Sequence, residues 1–262
     1  MKKAIFFDVD GTLIDISKGM MTMSDKTKAA IRHLQEAGHY TFIASGRPFA
    51  FLDKEITEFG FDGYVLMNGA AVIMGDKVLY KKPLDKAYVA STCEKCDAHQ
   101  VEYILQGTKH VYLKPEFKQL DDFYEDIEIA KKRFVYDFDA RKLDVYKMEF
   151  ISKNERGLDV CMSFVNDKME FMTDPRHKLN FELYAKAETK ATGIQHALGA
   201  LNISLENSYA FGDGKNDREM LAAVGCGFAM DNADSSLKEI ADYTVDSVHH
   251  DGVAQGILDY IL

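Results

Sequence analysis

A run of four apolar residues, Ala4 to Phe7, ends at two carboxylates placed two positions apart, in AIFFDVDGTLID at 4–15. A short, wholly apolar run closed by turn residues suits a strand covered on both faces. Such strands belong to parallel sheets with helices packed on either side. The pattern recurs in HYTFIAS at 39–45, GYVLMNGAAVIM at 63–74, NSYAFGD at 207–213, CGFAM at 226–230 and DYTV at 242–245. Helical stretches separate these runs. SDKTKAAIRHLQEAG has Ser24 as N-cap, Ala30, Ile31 and Leu34 on one face, and Gly38 at the stop. PFAFLDKEITEFG opens on Pro48, a favoured first helical residue. KATGIQHALGALNI, DREMLAAVG and GVAQGILDYIL continue the alternation. Strand–helix order of this kind requires right-handed crossovers. It predicts an α/β protein with a doubly wound, Rossmann-like parallel sheet.

The middle of the chain has a different grammar. VEYILQG, HVYLK, YKMEFIS and KMEFM read as antiparallel strands, with the acidic and aromatic EFKQLDDFYED between them. Residues 83–186 are therefore expected to form an inserted α+β cap domain, with 1–82 and 187–262 together forming the core. A hydrophobic fraction of 47% in 262 residues is enough for both. The net charge of −10 leaves no basic stripe to neutralise phosphates, which argues against a nucleic-acid partner. No apolar run approaches the roughly 20 residues a bilayer requires, and that of MKKAIFF is too short for a signal peptide. A cytoplasmic protein with no membrane partner and reduced thiols is expected. Cys93 and Cys96 form a C-x-x-C, but without a second ligand pair or a thioredoxin-like context they read as ordinary helix residues.

Ligands of open α/β sheets sit beyond the carboxyl ends of the strands. Three strand ends here carry residues unsuited to a core: Asp8 and Asp10; Ser45, Gly46 and Arg47; and Asp213, Asn216 and Asp217. A lone Asp at a strand end is usually a turn former. Four carboxylates gathered at one rim are another matter, because they cannot all stay ionised without protons or a cation. Hard oxygen ligands that leave room for water and a phosphate suit Mg²⁺.

The order of these motifs resembles the haloacid-dehalogenase-like (HAD) phosphohydrolases, and their Cof-like sugar-phosphate phosphatase branch in particular. FFDVDGTL resembles the first signature and IASGRP the second, with Ser45 in its Ser/Thr position. AFGDGKNDREML, VGCGFAMDNA and ADYTVDSVHHDGVA resemble the C-terminal block. The likeness covers about the first 80 and last 75 residues, and the middle only in general pattern.

The resemblance implies a Mg²⁺-dependent phosphatase acting on a small phosphorylated metabolite, most naturally a sugar phosphate. Asp8 would be the nucleophile and Asp10 the acid and base, while Ser45 and backbone amides near Gly11 and Gly46 would hold phosphoryl oxygens. The third-signature lysine falls at Lys190, with Lys186 as the alternative register. Asp8, Asp10 through its carbonyl, and Asp213 would hold the metal, with Asn216 and Asp217 supporting those ligands from one turn on. Asp8 and Ser45 are 37 positions apart and Ser45 and Lys190 are 145 apart, so the insert occupies the second cap position as a substrate lid. Arg47, Asn68, Asn216 and the cap turn with Arg176, His177 and Asn180 are the expected substrate contacts. His249 and His250 read as surface residues, since helical neighbours point about 100° apart and cannot share an ion. A phosphotransferase or mutase on the same scaffold, or a non-hydrolytic phospho-acceptor or sugar-phosphate sensor, remains open at this point. So does the oligomeric state.

Overall fold

The computed structural model of the chain describes residues 1–127, 129–152, 154–173 and 180–262. Its first stretch contains β1 (Ala4–Phe7), α1 (Asp25–Glu36), β2 (Tyr40–Ala44), α2 (Lys54–Phe59), β3 (Gly63–Leu66), β4 (Ala71–Met74) and β5 (Lys77–Lys81). The middle holds α3 (Lys86–Ala98), β6 (Glu102–Gln106), β7 (Val111–Leu113), α4 (Lys118–Asp126), β8 (Phe134–Val135), β9 (Lys147–Ile151), α5 (Glu155–Met162), β10 (Met169–Thr173) and β11 (Asn180–Ala185). The end holds α6 (Lys190–Leu201), β12 (Ser208–Gly212), α7 (Arg218–Ala222), β13 (Cys226–Met230), α8 (Ser235–Lys238), β14 (Tyr243–Val245) and α9 (Gly252–Gly256). Two compact units result. Met1–Gly46, Lys54–Lys81 and Thr189–Leu262 make the first, and Arg47–Asp53 with Lys82–Glu188 the second.

The first unit is built on an eight-stranded sheet in the order β14-β13-β12-β1-β2-β3-β4-β5. The six strands from β14 to β3 are parallel. Every residue of β1 is fully buried, as a central strand with both faces covered should be. Phe7, Phe211 and Phe228 stack across three neighbouring strands, with ring centroids 5.4 and 4.5 Å apart. Ser24 caps α1 by accepting the Thr27 N–H, and Thr27, Ala30, Ile31 and Leu34 are buried at helical spacing.

The α/β fold with a largely parallel sheet is as expected, and its edge differs: β3–β4 and β4–β5 are antiparallel. Only Met67–Ala70 separates β3 from β4, far too little chain for a crossover. The helix expected from Pro48 also does not form there. A single 3₁₀ turn over Phe49–Phe51 ends at an extended Leu52, and α2 begins only at Lys54. The reason is tertiary. Phe51 packs its ring 4.8 Å from Tyr124 and 6.0 Å from Phe134, so this segment belongs to the second unit.

The second unit has a six-stranded sheet, β10-β11-β9-β6-β7-β8, antiparallel except for β7–β8. Tyr103, Leu105, Met148, Phe150, Phe181 and Leu183 alternate onto one face and join Val89, Cys93 and Cys96 of α3 and Cys161 of α5 in one core. All four cysteines are free, and burial pushes the Cys93 and Cys161 thiols up to about 12. Along the other face run Glu102, Gln106, Lys147, Glu149, Asn180 and Glu182, where α4 donates from Leu120 N–H to Glu102 and from the Tyr124 hydroxyl to Glu149. No helix among the described residues is long and apolar enough to cross a membrane.

Candidate active site

β1 lies between β12 and β2, with Phe7 level with both Phe211 and Ile43. Asp8, Asp213 and Ser45 therefore leave the sheet side by side at the carboxyl ends of parallel strands. The Asp8 N–H donates to the Phe211 carbonyl at 3.0 Å, and the Ser45 N–H to Val65 at 2.8 Å. Gly11 follows with φ +81°, and a Cβ there would lie 2.1 Å from Asp213 Oδ2. Only glycine accepts both the left-handed backbone and the approaching carboxylate.

Lys190 is the first residue of α6. Thr189 caps that helix reciprocally with Thr192, the two side chains each accepting the other's N–H. The helix start is pressed against the turn between β3 and β4. A Cβ on Gly69 would sit 2.0 Å from the Thr189 carbonyl, and one on Gly193 2.7 Å from Gly69 Cα. The turn itself carries Met67 and Asn68 at φ 50° and 53°, left-handed values that cost non-glycine residues about 1–3 kcal/mol each. The Asn68 N–H donates to the Ser45 carbonyl at 3.2 Å, which ties this turn to the end of β2. Thus placed, Lys190 is 1% exposed. Its Nζ donates to Asp8 Oδ1 at 2.5 Å and to Asp217 Oδ1 at 2.6 Å. Lys186 is exposed. The other oxygen of the fully buried Asp217 accepts the N–H groups of Asp213 and Gly214 at 3.0 and 2.9 Å.

Three carboxylates share this space with one ammonium. Burial pushes the Asp8 carboxyl well above the ordinary range, Asp217 adds to the rise, and Lys190 opposes it. Burial, then the Asp217 charge, raises Asp213 to about 7, against a hydrogen bond from Thr12. For Lys190, burial alone would lower the pKa, but Asp217 and Asp8 together hold it above its ordinary value. Negative charge is in excess, and one oxygen each of Asp8, Asp213 and Asp217 lie within 4.8 Å of one another. A hard divalent cation fits such an all-oxygen, charge-unbalanced trio. Asp217 differs from the other two in being fully buried, with one oxygen on the Lys190 ammonium and the other on two backbone N–H groups. Asp10 is exposed and its carboxylate lies outside the trio, though its charge also raises Asp8 and Asp213.

The remaining expected residues separate. Asn216 donates to Asn68 at 3.5 Å, and a Cβ on Gly46 would come 2.9 Å from the Asn68 oxygen, so these three meet at the same rim. Arg47 belongs to the second unit, donating to the Phe51 carbonyl at 3.1 Å and lying 3.7 Å from Asp53. Asn180 is not a surface turn: it opens β11, is 2% exposed, and donates to Glu149 at 3.2 Å. Arg176 and His177 fall outside the described residues.

Sequence reasoning missed two contributors. Thr12 Oγ1 donates to Asp213 at 3.3 Å. Asn232, within the quoted MDNA, donates to both the Gly11 carbonyl and Asp213. Its position two residues past β13, a strand beside β12, was the available signal. His249 is exposed, as expected, and its Nε2 lies 3.0 Å from Asp15 Oδ2 in the loop after β1. His250 is exposed and bonds only Ser247 among the described residues.

A parallel sheet with acidic strand ends around a buried lysine fits an α/β protein that handles phosphoryl groups. Comparison with known proteins makes this specific. A family model for haloacid dehalogenase-like hydrolases matches residues 5–257, and the chain belongs to that family. It is 31% identical over 271 residues to "Putative phosphatase YkrA" of Bacillus subtilis (strain 168), covering 97% of this chain and 96% of the relative. It is 27% identical to the 5-amino-6-(5-phospho-D-ribitylamino)uracil phosphatase YitU of the same organism, over 98% of this chain and 96% of that one. Among solved structures, the HAD subclass IIB sugar phosphatase BT4131 superposes with TM-score 0.78 at 27% identity, covering 99% of each chain. The protein is a phosphatase.

Proposed function

We propose that this phosphatase hydrolyses a small phosphorylated metabolite, with sugar phosphates the leading class, through an aspartyl-phosphate on Asp8. The observation that carries the reading is the buried Lys190 ammonium bonded at once to Asp8 and Asp217 at the end of β1. Burial and the Asp217 charge favour a proton on the nucleophile, Lys190 opposes it, and a bound cation would add to that opposition. With Oδ1 engaged by Lys190, Asp8 Oδ2 is the oxygen left to attack phosphorus. The new O–P bond forms as the ester P–O bond breaks, and Asp10 delivers its proton to the departing alkoxide. Exposure of Asp10 suits that exchange with substrate and solvent. Asp10 then takes a proton from water, which attacks phosphorus and releases inorganic phosphate and Asp8. Lys190, Ser45 and amides near Gly11 and Gly46 hold the phosphoryl oxygens. Asp8, Asp213 and the Asp10 carbonyl would hold Mg²⁺, which supplies charge neutralisation and Lewis acidity when bound.

The relatives support the substrate class. YitU is named for a phosphorylated ribityl compound and BT4131 for sugar phosphates, both small phosphate monoesters. By the family resemblance, residues 83–186 act as the substrate lid. The test is phosphate release across a panel of phosphorylated metabolites with Mg²⁺, and again with EDTA. Wild type should release phosphate only with the metal, and Asp8→Asn should fall to background. Full activity in Asp8→Asn would sink the covalent route, and a phospho-isomer in place of free phosphate would replace hydrolysis by group transfer.

A further inference from the structure

Asn232 makes three hydrogen bonds that converge on the site from the C-terminal block. Its Nδ2 donates to the Gly11 carbonyl at 2.8 Å and to Asp213 Oδ2 at 3.2 Å. Its Oδ1 accepts the Val248 N–H at 3.0 Å. Both amide hydrogens and one oxygen lone pair are used, so the orientation of the amide is fully determined. The two groups it bridges are the pair in tight contact, since a Cβ on Gly11 would collide with the Asp213 carboxylate. A second tie runs from the same segment: His249, next to Val248, reaches Asp15 in the loop after β1. Asp15 in turn accepts from Ser17 Oγ at 2.6 Å and from Lys18 N–H at 3.2 Å, which holds that loop in shape.

We propose that Asn232 is a positioning residue. It locks the Asp213 carboxylate against the loop carrying Asp8 and Asp10, and is itself anchored by Val248, so residues 247–250 brace the metal-binding geometry. A donor to a ligating carboxylate orients it, and losing such a partner costs about 10–100-fold in metal affinity. This rests on the reading of Asp8 and Asp213 as metal ligands.

The test is Mn²⁺ binding to the substrate-free full chain, read by electron paramagnetic resonance, which needs no turnover. Asn232→Ala should bind Mn²⁺ about 10–100-fold more weakly than wild type. Its circular dichroism and EDTA-treated melting temperature should stay near those of wild type. Val248→Pro removes the anchoring N–H at the first position of a 3₁₀ turn, where the preceding Ser247 is already extended at ψ 165°. It should weaken Mn²⁺ in the same direction, and it decides the matter if Asn232→Ala does not fold. Unchanged affinity in a folded Asn232→Ala, with wild type binding normally, overturns the positioning role alone. A wild type that binds no Mn²⁺ overturns the metal reading and this inference with it.

Discussion

Glu149 offers a sharp test of how the second unit carries buried charge. It sits in β9 at 7% exposure, accepting from Gln106 at 3.2 Å, Tyr124 at 2.6 Å and Asn180 at 3.2 Å. Burial, followed by the nearby Glu182 charge, raises its pKa from 4.5 to about 7, although Tyr124, Lys147 and Asn180 oppose the rise. Between those values the folded chain holds a proton that the unfolded chain releases. Stability then falls as pH rises, at about 1.4 kcal/mol per unit. The contribution is fully present below pH 4.5 and lost as pH passes about 7. The whole window is worth on the order of 3 kcal/mol. Glu149→Gln removes the titration and keeps the shape. Gln106 Oε1 has no hydrogen-bond partner among the described residues, so a flipped Gln106 amide can accept from the new side chain. Hydrogen exchange of β6, β9 and β11 amides, compared between wild type and variant at each pH, reads the opening free energy with intrinsic rates cancelled. The variant should gain on wild type by about 3 kcal/mol from pH 4.5 to 8. Parallel profiles across that window would refute the argument.

Other outcomes follow from the same geometry. Gly11→Ala forces a left-handed alanine, costing about 1–2 kcal/mol, and drives Asp213 aside; thermal melts should show the cost, and phosphate release should fall tenfold or more. Lys190→Met strands two buried carboxylates and should lose about 3–5 kcal/mol in denaturant titrations together with turnover. Lys186→Met, at an exposed position, should stay within about 0.5 kcal/mol. Phe51→Ala empties an aromatic contact with Tyr124 and should destabilise the second unit by about 3–5 kcal/mol, seen as faster exchange in α4.

Much of the fold was written in local pattern. AIFF, TFIA and YAFG read as buried strands because apolar residues dominate them, and alternation with helices made most of the sheet parallel. That alone brought Asp8, Ser45 and Asp213 to a common rim, since parallel neighbours end on the same side. What local pattern could not contain is pairing across the chain. Lys190 and Asp8 are 182 positions apart, and only the close passage of Gly69 against Gly193 decides that Lys190, rather than Lys186, reaches the carboxylates. Pro48 promised a helix, but the burial of Phe51 beside Tyr124 overrode a one-residue preference. Asn232 and His249 looked ordinary for a related reason. A polar side chain shows its role by what lies within hydrogen-bond reach of it, and Gly11 meets Asn232, as Asp15 meets His249, from more than 200 residues away. Strand burial is a property of neighbours in sequence. The balance of charge in a site is a property of neighbours in space, and here only the folded chain brings them together.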